Sequence, residues 1–123
     1  MELLIILLVI VFGVSKAICD ISESSFANSK LGNLNPLFWD KHKSWRNKWK
    51  DGVATNGERF FGSSTFLVWI TDAWHLFNLI SYVSLILTGI LITKITDIVY
   101  LYPLPLIIGL IVFELFYRFL KHK

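Results

Sequence analysis

Three long apolar runs constrain this chain more than anything else in it, at residues 3–18, 66–92 and 98–120. As helices at about 1.5 Å per residue, the second would be roughly 40 Å long and the third roughly 34 Å. The first reaches roughly 25 Å when Cys19 is included. A bilayer's hydrocarbon core needs about 20 residues, or about 30 Å. Only 17% of the 123 residues are charged, where soluble domains have nearer a quarter, and the mean hydropathy is +0.59. The chain therefore reads as one all-α membrane domain over 1–123, with spans at about 3–19, 66–92 and 98–120.

The first run differs from a cleaved signal peptide. Only Met1 and Glu2 precede it, no Lys or Arg stands before it, and SKAIC at 15–19 lacks the small residues of a cleavage site. It is expected to be a retained anchor. Lys16, Lys30, Lys41, Lys43, Arg46, Lys48, Lys50, Arg59, Arg118, Lys121 and Lys123 fall on one side of a three-span arrangement, and Lys94 alone on the other. The positive-inside rule then places the N-terminus outside, and the long connection and the C-terminus in the cytoplasm, as in a bacterial inner membrane. Cations beside spans have anionic lipid, not nucleic acid, as their nearest partner. Cys19 is the only cysteine, which excludes an intrachain disulfide. A buried or lipid-facing thiol is the expectation, with juxtamembrane palmitoylation as the alternative.

Between the first two spans, residues 20–33 read as irregular and 36–51 as an amphipathic helix. Asn35 is the expected N-cap, Pro36 the first helical residue and Gly52 the stop. Phe38, His42, Trp45 and Trp49 would line one face, with Lys41, Lys43, Arg46, Lys48 and Lys50 around the rest. That pattern suits a helix lying flat on the inner leaflet, with Phe38, Trp45, Trp49, Lys41 and Lys48 as the lipid-interface residues. Packing of the aromatic face on the protein's own spans, or on a partner, is the alternative. Residues 53–65 read as a polar connection in which Ser63, Ser64 or Thr65 caps the second span.

A link of about five residues between spans two and three predicts an adjacent antiparallel hairpin. Pro103 and Pro105 fall in the first turns of span three. Tyr100 and Tyr102 would form the outer aromatic belt, and Phe116, Tyr117 and Phe119 the inner one. The hairpin would bring Asp72 and Glu114 to one depth. Asp72 shares a helical face with His75, and Glu114 can meet Arg118 at i+4. Thr71, His75, Asn78 and Tyr82 extend a polar stripe that is costly against lipid. The expectation is a polar cluster of Asp72, His75, Glu114 and Arg118. It has three readings: mutual satisfaction that fixes helix packing, recognition of a headgroup or partner, or a metal or acid–base site on Asp72, His75 and Glu114. The spacing matches no dedicated zinc motif, and no nucleophile elbow, phosphate loop or C-x-x-C pattern is present, so no cofactor is specified.

SWRNKWKDG and GERFFGSSTFLVWITDAWHLF, within residues 44–77, resemble stretches of a group of small bacterial integral membrane proteins without an assigned function. The resemblance implies an inner-membrane setting and that the two stretches form one unit. It supplies no activity. The leading expectation is a non-enzymatic assembly or accessory subunit that contacts anionic lipid and either self-associates or binds a partner membrane protein. The alternatives are an enzyme built on Asp72, His75 and Glu114, and a holin-like pore former, against which the long inner connection argues.

Overall fold

The computed structural model describes residues 1–95 and 103–122. Three helices in it are long and apolar enough to cross a membrane: α1 (Glu2–Ser24), α4 (Ala73–Thr93) and α5 (Pro103–Lys121). Two single-turn helices, α2 (Pro36–Trp39) and α3 (Lys41–Ser44), lie in the connection between α1 and α4. No strand forms among the described residues, where pairing is limited to one isolated bridge from Trp49 to Glu58. Tyr100 and Tyr102 lie outside the described residues.

The first span is longer than its apolar run. Lys16 and Asp20 pair at 3.4 Å along the helix, and the hydroxyls of Ser22 and Ser24 donate to the carbonyls of Ile18 and Asp20 at 2.7 and 2.6 Å. Polar side chains thus bond within their own helix, and α1 continues to Ser24. It is the central helix. A third of its most apolar stretch is buried (33%), against 11% for α5.

The α4 helix runs antiparallel to α1. Met1, Glu2, Lys94 and Ile95 line a cleft at one end, and at the other the Cys19 thiol donates to the Trp74 carbonyl at 3.4 Å. The buried side chains of α4 are Ala73, Ser81, Ser84, Thr88 and Ile92, one stripe at helical spacing. Ser81 and Thr88 donate to Asn78 and Ser84 carbonyls at 2.8 Å, leaving small, internally satisfied surfaces for close packing. The α5 helix runs parallel to α1 and meets it where two glycines oppose each other. A Cβ on Gly13 would lie 2.6 Å from the Gly109 carbonyl oxygen and 2.8 Å from Val112 Cβ. Towards the cation-rich end, Ile18, Ile21 and Leu120 form a buried cluster, joined by Trp39, Phe77, Phe116 and Tyr117.

Spans two and three are antiparallel, as expected, but their adjacency is corrected. Both pack on α1, and the α4 and α5 backbones come near each other at isolated points at most. A short link limits how far apart two helix ends lie, but the packing surface decides the partner. Here the small residues Gly13, Ser15, Ala17, Cys19 and Ser22 are all buried on α1.

Two further expectations change. The helix expected over 36–51 is broken. Asn35 caps α2 as predicted, its side chain accepting from the Leu37 amide at 3.0 Å. Asp40 then adopts an extended conformation (φ −89°, ψ 108°) and accepts from the His42 amide at 3.0 Å, starting a new turn. A 3-10 turn over Trp45–Lys48 and an extended Trp49 follow. Phe38, His42, Trp45 and Trp49 consequently share no helical face. The second span begins at Ala73 rather than at 66, because Asp72 (φ −156°, ψ 162°) is its N-cap. At 21 residues it is about 31 Å long, close to the hydrocarbon thickness. Ser63, Ser64 and Thr65 do not cap it. The Pro103 and Pro105 rings sit in the first turn of α5, where helix amides lack partners in any case.

Candidate functional site

The polar residues singled out by the sequence gather as two separate pairs at the cation-rich end of the bundle. Asp72 is 2% exposed and faces its own helix. Oδ1 accepts from the His75 amide at 2.8 Å, and Oδ2 lies 2.7 Å from His75 Nδ1. A carboxylate only accepts, so Nδ1 is the donor and the ring is held in one tautomer. The cap satisfies an amide that a helix start leaves open, and it fixes the imidazole as well. The His75 ring stands edge-on to Trp74, centroids 5.0 Å apart. His75 Nε2 has no hydrogen-bond partner among the described residues.

Glu114 is on α5 and pairs with Arg118 Nε at 2.6 Å, both side chains at least half exposed. It lines a cleft of about 370 Å³ with Asp20, Glu23, Ser24, Phe113 and Tyr117, all on α1 or α5. With α4 and α5 apart, the expected four-residue cluster does not assemble. No group of three or more His, Cys, Asp or Glu side chains that could hold a metal forms among the described residues. Asp72, His75 and Glu114 therefore do not make a ligand set. Of the expected stripe, Thr71 is buried and donates to the Val68 carbonyl at 2.7 Å, and Asn78 is half-buried. Tyr82 points outward and is exposed.

The connection is clamped onto this end of the bundle. Lys41 Nζ pairs with Glu23 at 2.6 Å and stands 3.9 Å over the Trp74 ring. His42 Nε2 lies 2.8 Å from the Glu23 carbonyl. Asn47 donates to the carbonyls of Leu37 and Thr71, tying α2 to the residue before the Asp72 cap. Trp39 packs on Phe77, centroids 5.7 Å apart. Among the expected lipid-interface residues, then, Lys41 is committed to a carboxylate and an indole. Phe38 is half-buried with its edge against Trp39, and Trp49 is half-buried in the bridge to Glu58 with Lys48 Nζ 5.5 Å from its ring. Trp45 is exposed (44%) beside the Arg46 guanidinium.

No family model, no curated protein and no solved structure matches this chain.

Residues 53–65, expected as a polar connection, form an ordered loop together with the residues just before them. The Lys50 amide donates to the Gly57 carbonyl at 3.0 Å and the Arg59 amide to that of Lys48 at 2.9 Å, pairing the two arms of a small loop. Glu58 accepts from the amides of Gly62 and Ser64 at 3.0 and 3.1 Å and from the Ser64 hydroxyl. The buried Ser63 hydroxyl donates to the Lys48 carbonyl at 2.7 Å. Ser64 foremost, then the two amides, holds the Glu58 carboxyl below the ordinary carboxylate range. The available signal was Phe60-Phe61 set between Glu58 and Gly62: an acid able to cap a turn, two rings, and a glycine that takes φ +80°.

Proposed function

We propose that this chain is a multi-pass protein of a bacterial inner membrane, N-terminus outside and C-terminus cytoplasmic. In this reading it is a non-enzymatic assembly or accessory subunit that contacts anionic lipid and a protein partner. The observation that carries the reading is the sidedness of the bundle. The ends of α1 and α5 and the start of α4 meet at one end with the clamped connection, and eleven of the twelve Lys and Arg residues belong to that end by sequence. Cations distributed in this way orient spans and attract an anionic leaflet. The α5 helix supports the partner half: only Gly109 and Leu120 are buried along it, leaving most of its apolar surface to lipid or another helix.

Two measurements test this. Reporter fusions after the C-terminal lysines should show cytoplasmic activity, and fusions before Met1 periplasmic activity; the reverse pattern would overturn the orientation. Cross-linking in native membranes should capture the chain with a second membrane protein or a second copy. A monomer by native mass spectrometry from mild detergent, with no cross-linked species, would remove the subunit reading.

A further inference from the structure

We propose that residues 60–70 form a preorganised wedge that inserts its aromatic and aliphatic side chains into the anionic leaflet on the cytoplasmic side. The inference rests on the membrane reading above and adds the segment that performs the lipid contact and the way it is held.

The rings are displayed rather than packed away. Phe61 is 84% exposed and Phe66 61%, and Phe60 and Ile70 are exposed as well. Phe61 and Phe66 stand edge to face, centroids 5.6 Å apart. Phe66 also lies across Gly62, where a Cβ would come within 2.7 Å of its ring. Loops normally present polar side chains to water, and contiguous exposed apolar surface marks a contact site.

The backbone beneath the rings is fixed. The Glu58 carboxylate closes the turn onto Gly62 and Ser64, Ser63 anchors it to Lys48, and the Leu67 amide donates to the Gly62 carbonyl at 2.8 Å. A contact surface held in one conformation loses little freedom on docking.

Two features identify lipid as the occupant. The first is continuity. The segment ends at the Asp72 cap, so Phe66 lies within about 20 Å of the span by chain reach. Beyond the cap, Leu79, Tyr82 and Ile86 on α4 are exposed apolar and aromatic side chains of the span itself. The second is charge. Arg59 precedes Phe60, and Arg46 lines one cleft with Arg59. Lys43, Lys48 and Lys50 share that stretch, opposed there by Asp51, Glu58 and Asp40, the last 3.9 Å from Lys43, while Lys41 is taken up by Glu23. Rings at the acyl boundary with cations at the phosphates is the arrangement by which interfacial segments bind anionic membranes.

Site-directed spin labelling of the full chain tests this, in a Cys19→Ala background. The chain is reconstituted in phosphatidylethanolamine–phosphatidylglycerol vesicles and, separately, in phosphatidylcholine vesicles. Nitroxides placed by Phe61→Cys, Phe66→Cys, Asn56→Cys and Ile86→Cys report collisions with oxygen and with a water-soluble nickel complex. Oxygen should dominate at 61 and 66, at a depth between the hydrocarbon value at 86 and the aqueous value at 56, and the label should sit deeper in the anionic vesicles. Glu58→Gln should move the label at 61 toward water. Nickel access at 61 and 66 equal to that at 56, with 86 still in hydrocarbon, would overturn the wedge alone. Shielding of 61 and 66 from both reagents would replace lipid with protein as the occupant. Equal depth in both vesicle types would refute the role of charge. An aqueous Ile86 would overturn the membrane reading itself.

Discussion

At the residue scale, the acid and imidazole at the head of the second span turn out to be its start signal. The i, i+3 spacing of Asp72 and His75 is legible in the sequence, where it suits a shared face of a continuing helix. The same spacing is that of an N-cap and the third helical residue, and the extended backbone of Asp72 decides for the cap. What hid it was the apolar run 66–70, which by composition belongs to the span. Asp72→Ala should remove the cap and the anchor of His75 together. We expect a loss of about 1–2 kcal/mol, read as a lower midpoint of thermal unfolding in detergent, with Asp72→Asn retaining most of the cap. Glu58 makes a pH prediction. Its folded carboxyl titrates below its unfolded value, because the Ser64 hydroxyl and the amides of Gly62 and Ser64 bond the charged form. Its contribution is fully present above the unfolded value, near pH 4.3, and is lost as pH falls through the depressed folded one. The protection factors of the Gly62 and Ser64 amides should therefore drop on acidification below pH ~4.3. Glu58→Gln should abolish that dependence.

At the element scale, the spans were legible because burial in lipid demands length and apolarity, and both can be counted. The number of long helices followed from this. The pairing was not legible. It depends on which faces carry small residues, and a hydropathy count scores Ser15, Ser22 and Ser84 as interruptions when they are contact surface. The broken connection was missed for a related reason. Phe38, His42, Trp45 and Trp49 have helical spacing, but Asp40 takes the His42 amide and ends the first turn before that face can form. The α1–α5 contact gives the test at this scale. Gly13→Val would place a methine carbon where the Gly109 carbonyl already lies. It should push α5 away at a cost of about 1–3 kcal/mol, with little effect on α4. Disulfide trapping can separate the two effects: a cysteine pair across α1 and α5 should lose efficiency while one across α1 and α4 keeps it.

At the scale of the whole molecule, two spans lean on the third. The buried residues of α4 and the glycine crossing of α5 both address α1, while the α4 and α5 backbones come near each other at isolated points at most. Expressing residues 1–95 and 103–123 as two chains should therefore still give a complex, because the α1–α5 contact needs no covalent link to α4. Co-purification of the two pieces from membranes checks this; failure to associate would show that the connection between α4 and α5 supplies more than continuity.

Gly13 and its small neighbours also bear on the order of synthesis. The helix that receives both others precedes them in the chain and leaves the ribosome before either, so each enters a bilayer in which its docking face is already present. Neither α4 nor α5 has to wait for the other, and a delay in inserting the last helix would leave an intact two-helix intermediate rather than an unpaired one.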